Sequence, residues 1–396
     1  MLPRMKSHVL LLTAALFVTV IPGHALRKNP TWNKQTRATS DAQAGGWLIN
    51  LGITGARAKI NLERPQEFEV AYLFPDTPAH ATLKIGDRIL GVNGTPFSEP
   101  HKFGYGPKFF GYEGPMMELG QTLDSHQGKI TLQIIRSEKK QNVTLGLPTK
   151  YGSFSKTFPY DCPKTDLILK ECYTFLLETQ RPDGLWNGRP DADTFAALAL
   201  LGSGNKDFLP AVEKSMRIFA KSTNDVIDYG GLDCWKYTLY GTALCEYYIL
   251  TREGWIKPEL EQIKTWLLKA QMDNGGWGHR PANKPGGNGY GAINAITMQA
   301  KMTLGMMMRC GLEVPADKFR ATHDFVAKGT NDIGYVWYKD GGRRNPGYAD
   351  MGRTGITALA HHVSPVGGEQ YRDFALLTAG CIGNYPKTFP DTHGSP

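Results

Sequence analysis

From about residue 164 onward, the chain alternates between helices with one apolar face and helices that are apolar nearly all round, and this most constrains its fold. Ile256, Leu260, Ile263, Leu267 and Ala270 form a single stripe at helical spacing, with Pro258 near the helix start. Phe195 to Leu201 and the run from Ala292 to Met308 are apolar on almost every side instead. Half-wet rods alternating with dry rods pack in one simple way, as an outer ring of half-wet rods around an inner ring of dry ones. Candidate outer helices begin near residues 164, 206, 257, 316 and 368, a repeat of about 50 residues.

Each outer-to-inner connection carries a glycine and then an aromatic residue: Gly184 and Trp186, Gly231 and Trp235, Gly276 and Trp277, Gly334 and Trp337. In two of them a glutamine comes first, so that Gln180, Gly184 and Trp186, and likewise Gln271, Gly275 and Trp277, read Q-x-x-x-G-x-W. These segments resemble the repeat of squalene cyclases and their relatives. The resemblance implies an (α/α) toroid in which the glutamine amide bonds helix-end backbone groups and the indole packs across the turn. Such a repeat is a structural staple and carries no chemistry. About nine helices are expected, in four and a half hairpins, where a closed ring of this kind takes about six. The fifth outer helix, about 368 to 383, lacks an inner partner. A fragment or truncated reading frame is therefore expected, with an open ring or closure by a second molecule as the alternatives.

Residues 42 to 149 read differently, as short strands. Phe68 to Phe74, Arg88 to Val92, Lys129 to Ile135 and Gln141 to Leu145 have strand-like patterning. The segment from Asp76 to Gly94, containing Thr77-Pro78-Ala79, Gly86-Asp87-Arg88-Ile89 and Val92-Asn93-Gly94, resembles the bacterial PDZ signature. Pro78 opens a helical turn, Gly86 and Asp87 reverse the chain, and Asn93-Gly94 suits a tight turn. The resemblance implies a small β-barrel-like PDZ domain that takes a peptide or protein C-terminus as an added strand. Leu51, Gly52 and Ile53 are the candidate carboxylate loop. A helix from Pro115 to Asp124 would present Met116, Leu119 and Leu123 either to the groove or to the core. Phe103 to Tyr112, rich in aromatics and glycine, departs from compact PDZ sequences and reads as an insertion. Residues 150 to 163 read as a linker, and 164 to 396 as the toroid.

Residues 1 to 25 read as an export signal: Arg4 and Lys6, an apolar run from Val9 to Ile21, and a small-x-small pattern ending at Ala25. Cleavage there would leave an exported chain, periplasmic or secreted; an uncleaved anchor is the alternative. It would also lower the net charge from +8 to +6, too little, without a basic block, for a nucleic-acid partner. A composition of 41% hydrophobic and 21% charged residues argues against wholesale disorder and against a multi-span membrane protein. The six cysteines form no C-x-x-C pair. Some disulfides or buried free thiols are equally compatible with the sequence, which does not assign partners.

Four polar constellations are candidates for chemistry. Asp191 and Asp193 are similar to the D-x-D-D acid of protonating terpene cyclases, but Thr194 stands where the last carboxylate would be, which favours helix capping. Asp233 and Cys234 with His361 or His362 are similar to the zinc ligands of protein prenyltransferases. Here the acid and the thiol are adjacent instead of spaced D-x-C, so no metal and no cofactor are expected. His279 and Tyr290, beside the glycine-rich stretch ending at Asn294, form either a proton-transfer pair of the kind toroidal lyases use or a plain loop leading into a helix. Arg343, Arg344, Asp350, Arg353, His361 and His362 would hold an anion or solvate a rim. Asp233, Asn294, Arg353 and His361 are the candidates for lining a cavity. No G-x-S-x-G elbow, phosphate loop or H-E-x-x-H motif is present.

The whole pattern resembles a family of exported bacterial proteins that pair a PDZ domain with a squalene-cyclase/prenyltransferase-like (α/α) toroid. Leu51 to Arg57, Pro159 to Pro163, Ala197 to Leu201 and Gly289 to Asn294 support this resemblance, which brings no activity with it. The expectation is an exported peptide- or protein-binding scaffold. The alternative is a periplasmic lyase or hydrolase acting on a glycan or lipid in the cavity.

Overall fold

The computed structural model describes residues 48–61, 63–101, 114–221, 231–281, 291–341 and 351–384. The expected export signal, the insertion from Phe103 to Tyr112, and Tyr290, Arg343, Arg344 and Asp350 lie outside them. A β-sheet half is followed by a helical half, as the patterning predicts.

The sheet half contains β1 (Ile49–Asn50), β2 (Ala56–Asn61), β3 (Arg64–Leu73), β4 (Arg88–Val92), β5 (Thr95–Pro96), α1 (Pro115–Ser125), β6 (Lys129–Arg136) and β7 (Lys139–Gly146). The strands pair in the order β1-β2-β3-β4-β6-β7, with β5 also on β4, and every pairing is antiparallel. Alternate residues Phe68 and Val70 of β3 and Ile130, Leu132 and Ile134 of β6 point into one core with Ile89, Leu119 and Leu145. The signature segment does structural work. Asn93 and Gly94 have positive φ and turn β4 into β5. Asp87 accepts the Lys84 amide at 2.8 Å and pairs with Arg136 at 2.6 Å, which ties the β3–β4 connection to β6.

The helical half contains α2 (Pro163–Thr179), α3 (Pro190–Gly202), α4 (Leu209–Phe219), α5 (Asp233–Thr251), α6 (Ile256–Ala270), α7 (Asn294–Arg309), α8 (Ala316–Lys328), α9 (Met351–His362) and α10 (Gly368–Asn384). The inner helices pack in series, α3 on α5, α5 on α7 and α7 on α9. Behind them, α4 bridges α3 and α5, α6 bridges α5 and α7, α8 backs α7, and α10 backs α9. Burial follows the predicted alternation in the middle of the helical half, but α3, expected to be dry all round, buries only five of its thirteen residues, because α5 is its one inner neighbour and Phe195 stays half exposed. Thirteen of nineteen residues are buried in α5 and fourteen of sixteen in α7. In α6 the buried residues are the five of the predicted stripe, Ile256, Leu260, Ile263, Leu267 and Ala270.

The Q-x-x-x-G-x-W turns staple each hairpin to the next. Trp186 Nε1 donates to the Leu176 carbonyl at 2.8 Å, and Trp277 Nε1 to the Leu267 carbonyl at 2.9 Å, each as a second donor beside the amide of Gln180 or Gln271 at 3.1 Å. Gln180 Nε2 donates to the carbonyls of Gly184 and, on α4, Ala211; Gln271 Nε2 donates to those of Gly275 and, on α8, Lys318. Gly184, Gly275 and Gly334 have φ of 85°, 87° and 86°. A Cβ on each would meet the backbone of the following outer helix, Lys214, Ala321 and Leu377, at 2.7, 2.3 and 2.3 Å. Glycine is therefore required twice over, for the turn and for the close approach.

Candidate functional site

The inner layer curves, so that all four inner helices face one hollow of about 650 Å³. Its wall is mostly apolar: Phe195, Leu198 and Leu201 from α3, Leu239, Ile249 and Leu250 from α5, Met302 and Met306 from α7, Ile356 and Leu359 from α9, and Val363 just after it. Thr194, Trp235, Thr242, Glu246 and Gln299 supply its polar groups. Glu246 is partly desolvated, and burial raises its carboxyl above the usual range, moderated by Arg309. Phe195 and Leu359 remain half exposed on facing helices, so the hollow opens to solvent between them.

The predicted cavity residues sit elsewhere. Asn294 Nδ2 donates to the Trp337 carbonyl at 2.7 Å and anchors the start of α7 to the next turn. Asp233 lies in the first turn of α5, and Arg353 is buried in α9 with its guanidinium 5.4 Å from the Tyr338 ring centre. His361 belongs to the wall of a separate groove of about 510 Å³ between α9 and α10. It forms a relay in which the Gln370 amide donates to His323 Nε2, His323 Nδ1 to His361 Nε2 and His361 Nδ1 to the Thr357 carbonyl, at 3.2, 3.1 and 2.8 Å. These tautomers satisfy every ring nitrogen with both histidines neutral. Burial pushes the His361 imidazole down to about 3, and the nearby Lys301 helps.

Lys301 is the residue that sequence reading passed over, and the signal was a lysine inside an otherwise apolar run. Its side chain is fully buried, with Nζ lacking a hydrogen-bond partner and lying 3.9 and 4.0 Å from the ring centres of Phe319 and Tyr371. Burial pushes its amine down to about 7, with Asp324 acting in the opposite direction.

The predicted catalytic residues are occupied structurally. His279 Nδ1 accepts the indole N–H of Trp235 at 2.9 Å, and its carbonyl accepts the Cys234 amide. Asp191 pairs with Arg189 at the surface. Asp193 Oδ1 accepts the amides of Trp186 and Asn187 at 2.7 and 2.9 Å, so it pins the turn onto the first turn of α3. Thr297 does the same for Trp277 in α7, and Thr354 for Val336 in α9, each from the same helical position. Among the described residues, no cluster of three metal-ligating side chains occurs.

In the sheet half, Leu51 and Leu119 are core residues, while Ile53, Met116 and Leu123 pack against that core and stay partly accessible. A Cβ on Gly52 would lie 3.7 Å from Leu123 Cδ1, so the candidate loop and α1 do meet. The adjacent edge of β2 is partly taken. Asn50 pairs with Arg57 and Ile49 with Ala58, closing a hairpin across the loop. The Leu51 amide donates to the Ala56 carbonyl at 3.0 Å and the Gly52 amide to Asn50 Oδ1 at 2.9 Å. Two donors that the sequence assigned to a peptide carboxylate are therefore spent inside the loop.

Residues 48–101 match the family model of the PDZ domain. Residues 165–377, from α2 into α10, match the model of a family described as a domain of unknown function (DUF6288). No curated protein matches the chain.

Proposed function

Since the chain belongs to the DUF6288 family and carries a PDZ domain ahead of that family's helical domain, we propose that it is a two-site binding protein. The PDZ half takes an extended peptide beside β2, where Lys59 to Asn61 continue past the two residues of β1. The helical half is read as an arc of (α/α) hairpins whose hollow takes the apolar chain of a lipid. The single observation that carries this reading is the hollow itself, shared by four inner helices and walled by aliphatic side chains and methionines. A glycan would need many converging donors and acceptors, which Thr194, Thr242, Glu246 and Gln299 alone do not supply. An enzymatic reading has less support, because His279, Asp191 and Asp193 hold turns and surface pairs together. An export signal over residues 1 to 25, read from its basic start and apolar run, would place this binding outside the cytoplasm.

The test is a titration of the purified chain with a fluorescent long-chain fatty acid. Saturable binding that falls at least about tenfold in Leu359→Trp, a residue half exposed on the wall, supports the reading. Equal affinity in both proteins, or no binding, contradicts it.

A further inference from the structure

The helices α5 and α7 approach closely at one glycine. Gly241 lets them approach, since a Cβ there would meet Thr303 Cγ2 at 2.7 Å. Thr303 Oγ1 lies 3.0 Å from the Thr238 carbonyl and 2.9 Å from Thr242 Oγ1. About two turns further along this seam, the same faces carry Cys245 on α5 and Cys310 at the end of α7. Cys310 Sγ lies 3.8 Å from the Cys245 carbonyl, and the two thiols are near enough to shift each other's titration. All six cysteines are free thiols in this structure.

We propose that Cys245 and Cys310 are a redox pair that closes to a disulfide and staples two neighbouring inner helices together. The pair is chemically asymmetric. Cys310 is held below the usual thiol range by its hydrogen bond to Cys245, with Arg252 and Lys257 adding to the effect. Cys245 is fully enclosed and pushed up by that burial. Cys310 is thus the attacking thiolate, and the oxidant is a second disulfide, of a small molecule or a protein. Cys310 Sγ attacks one sulfur of that disulfide, whose S–S bond breaks and releases one thiolate. Cys245 then gives its proton to the medium and attacks Cys310 Sγ, displacing the second thiolate. Two protein thiols are oxidised and one disulfide is reduced to two thiols. The helices are already in contact, so closure joins two neighbouring elements of one layer.

The experiment is oxidative refolding of the full chain from its reduced, unfolded state in a glutathione redox buffer, so that burial does not limit access. The products are mapped by non-reducing peptide mass spectrometry. The expected result is a Cys245–Cys310 linked peptide at least about tenfold more abundant than any other pairing, with two of the six thiols lost. Reduction should lower the urea midpoint of the wild type and leave that of Cys310→Ser unchanged. Six reactive thiols after refolding, a different pairing, or a glutathione adduct that stops at Cys310 would each overturn the proposal. The outcome is independent of whether the hollow takes a lipid.

Discussion

The Asp193 carboxylate accepts the Trp186 amide at 2.7 Å, at the helical position where Thr297 accepts the Trp277 amide at 2.9 Å. One structural role recurs in two hairpins with different residues, which gives Asp193 a turn-pinning role through Oδ1. Asp193→Thr should therefore fold with little loss. Asp193→Ala leaves two amides, those of Trp186 and Asn187, without an acceptor, at a cost of about 1–3 kcal/mol. Urea unfolding of both variants checks this. Equal loss in the two would contradict the equivalence with threonine.

The turn glycines lead to a second expectation. Gly275→Ala puts a Cβ 2.3 Å from the Ala321 carbonyl oxygen at φ 87°. Gly204→Ala meets nothing within 4 Å at φ 70°. Gly204→Ala should cost only the left-handed strain of about 1–2 kcal/mol. Gly275→Ala should cost clearly more, because backbone on α8 must move. Thermal unfolding of both variants gives the comparison, and similar shifts would argue against the stapled turn.

Lys301 makes stability depend on pH. Its amine titrates near 7 in the folded chain and near 10.5 when unfolded. Between those values the unfolded chain binds more protons, so stability rises with pH across that window, and the full penalty is present below it. The groups facing Lys301 are Phe319, His323 and Asp324 on α8, His361 on α9 and Tyr371 on α10. Burial lowers His323 and His361 as well, which adds a slope of the same sign at lower pH. Lys301→Met should stabilise the protein near pH 7 and flatten the upper slope. Urea midpoints of wild type and variant between pH 7 and 10 check this, and parallel curves would contradict it.

Peptide binding provides a fourth expectation. Because the Leu51 and Gly52 amides are spent within the loop, a peptide with a free C-terminus should bind at most about threefold tighter than its amidated form. Fluorescence polarisation with both peptides measures the ratio. A preference of a hundredfold would mean that β1 leaves its place when peptide arrives.

The repeat and its layers were legible because they rest on local physics. The stripe of α6 and the glycine–aromatic turns declare themselves at short sequence range, and the predicted outer-helix starts fall within about three residues of those observed. The PDZ signature is equally local, since Asn93-Gly94 and Gly86-Asp87 encode turns. The sites were less legible because they are assembled at long range. The Lys301 cluster draws on four helices, and the relay through His361 consumes a residue that looked free for ligand binding. The role of Asp193 emerges only when one hairpin is laid against another, and the self-pairing of β1 depends on a register that two residues cannot advertise.

The most direct measurement of the central claim uses methionine methyl groups as reporters inside the hollow. Met302 and Met306 line it, whereas Met216 is buried on an outer helix away from it. With methyl-labelled methionine, a saturating long-chain fatty acid should shift the Met302 and Met306 resonances and leave Met216 in place. Shifts absent from Met302 and Met306, or spread equally to Met216, would contradict binding in the hollow.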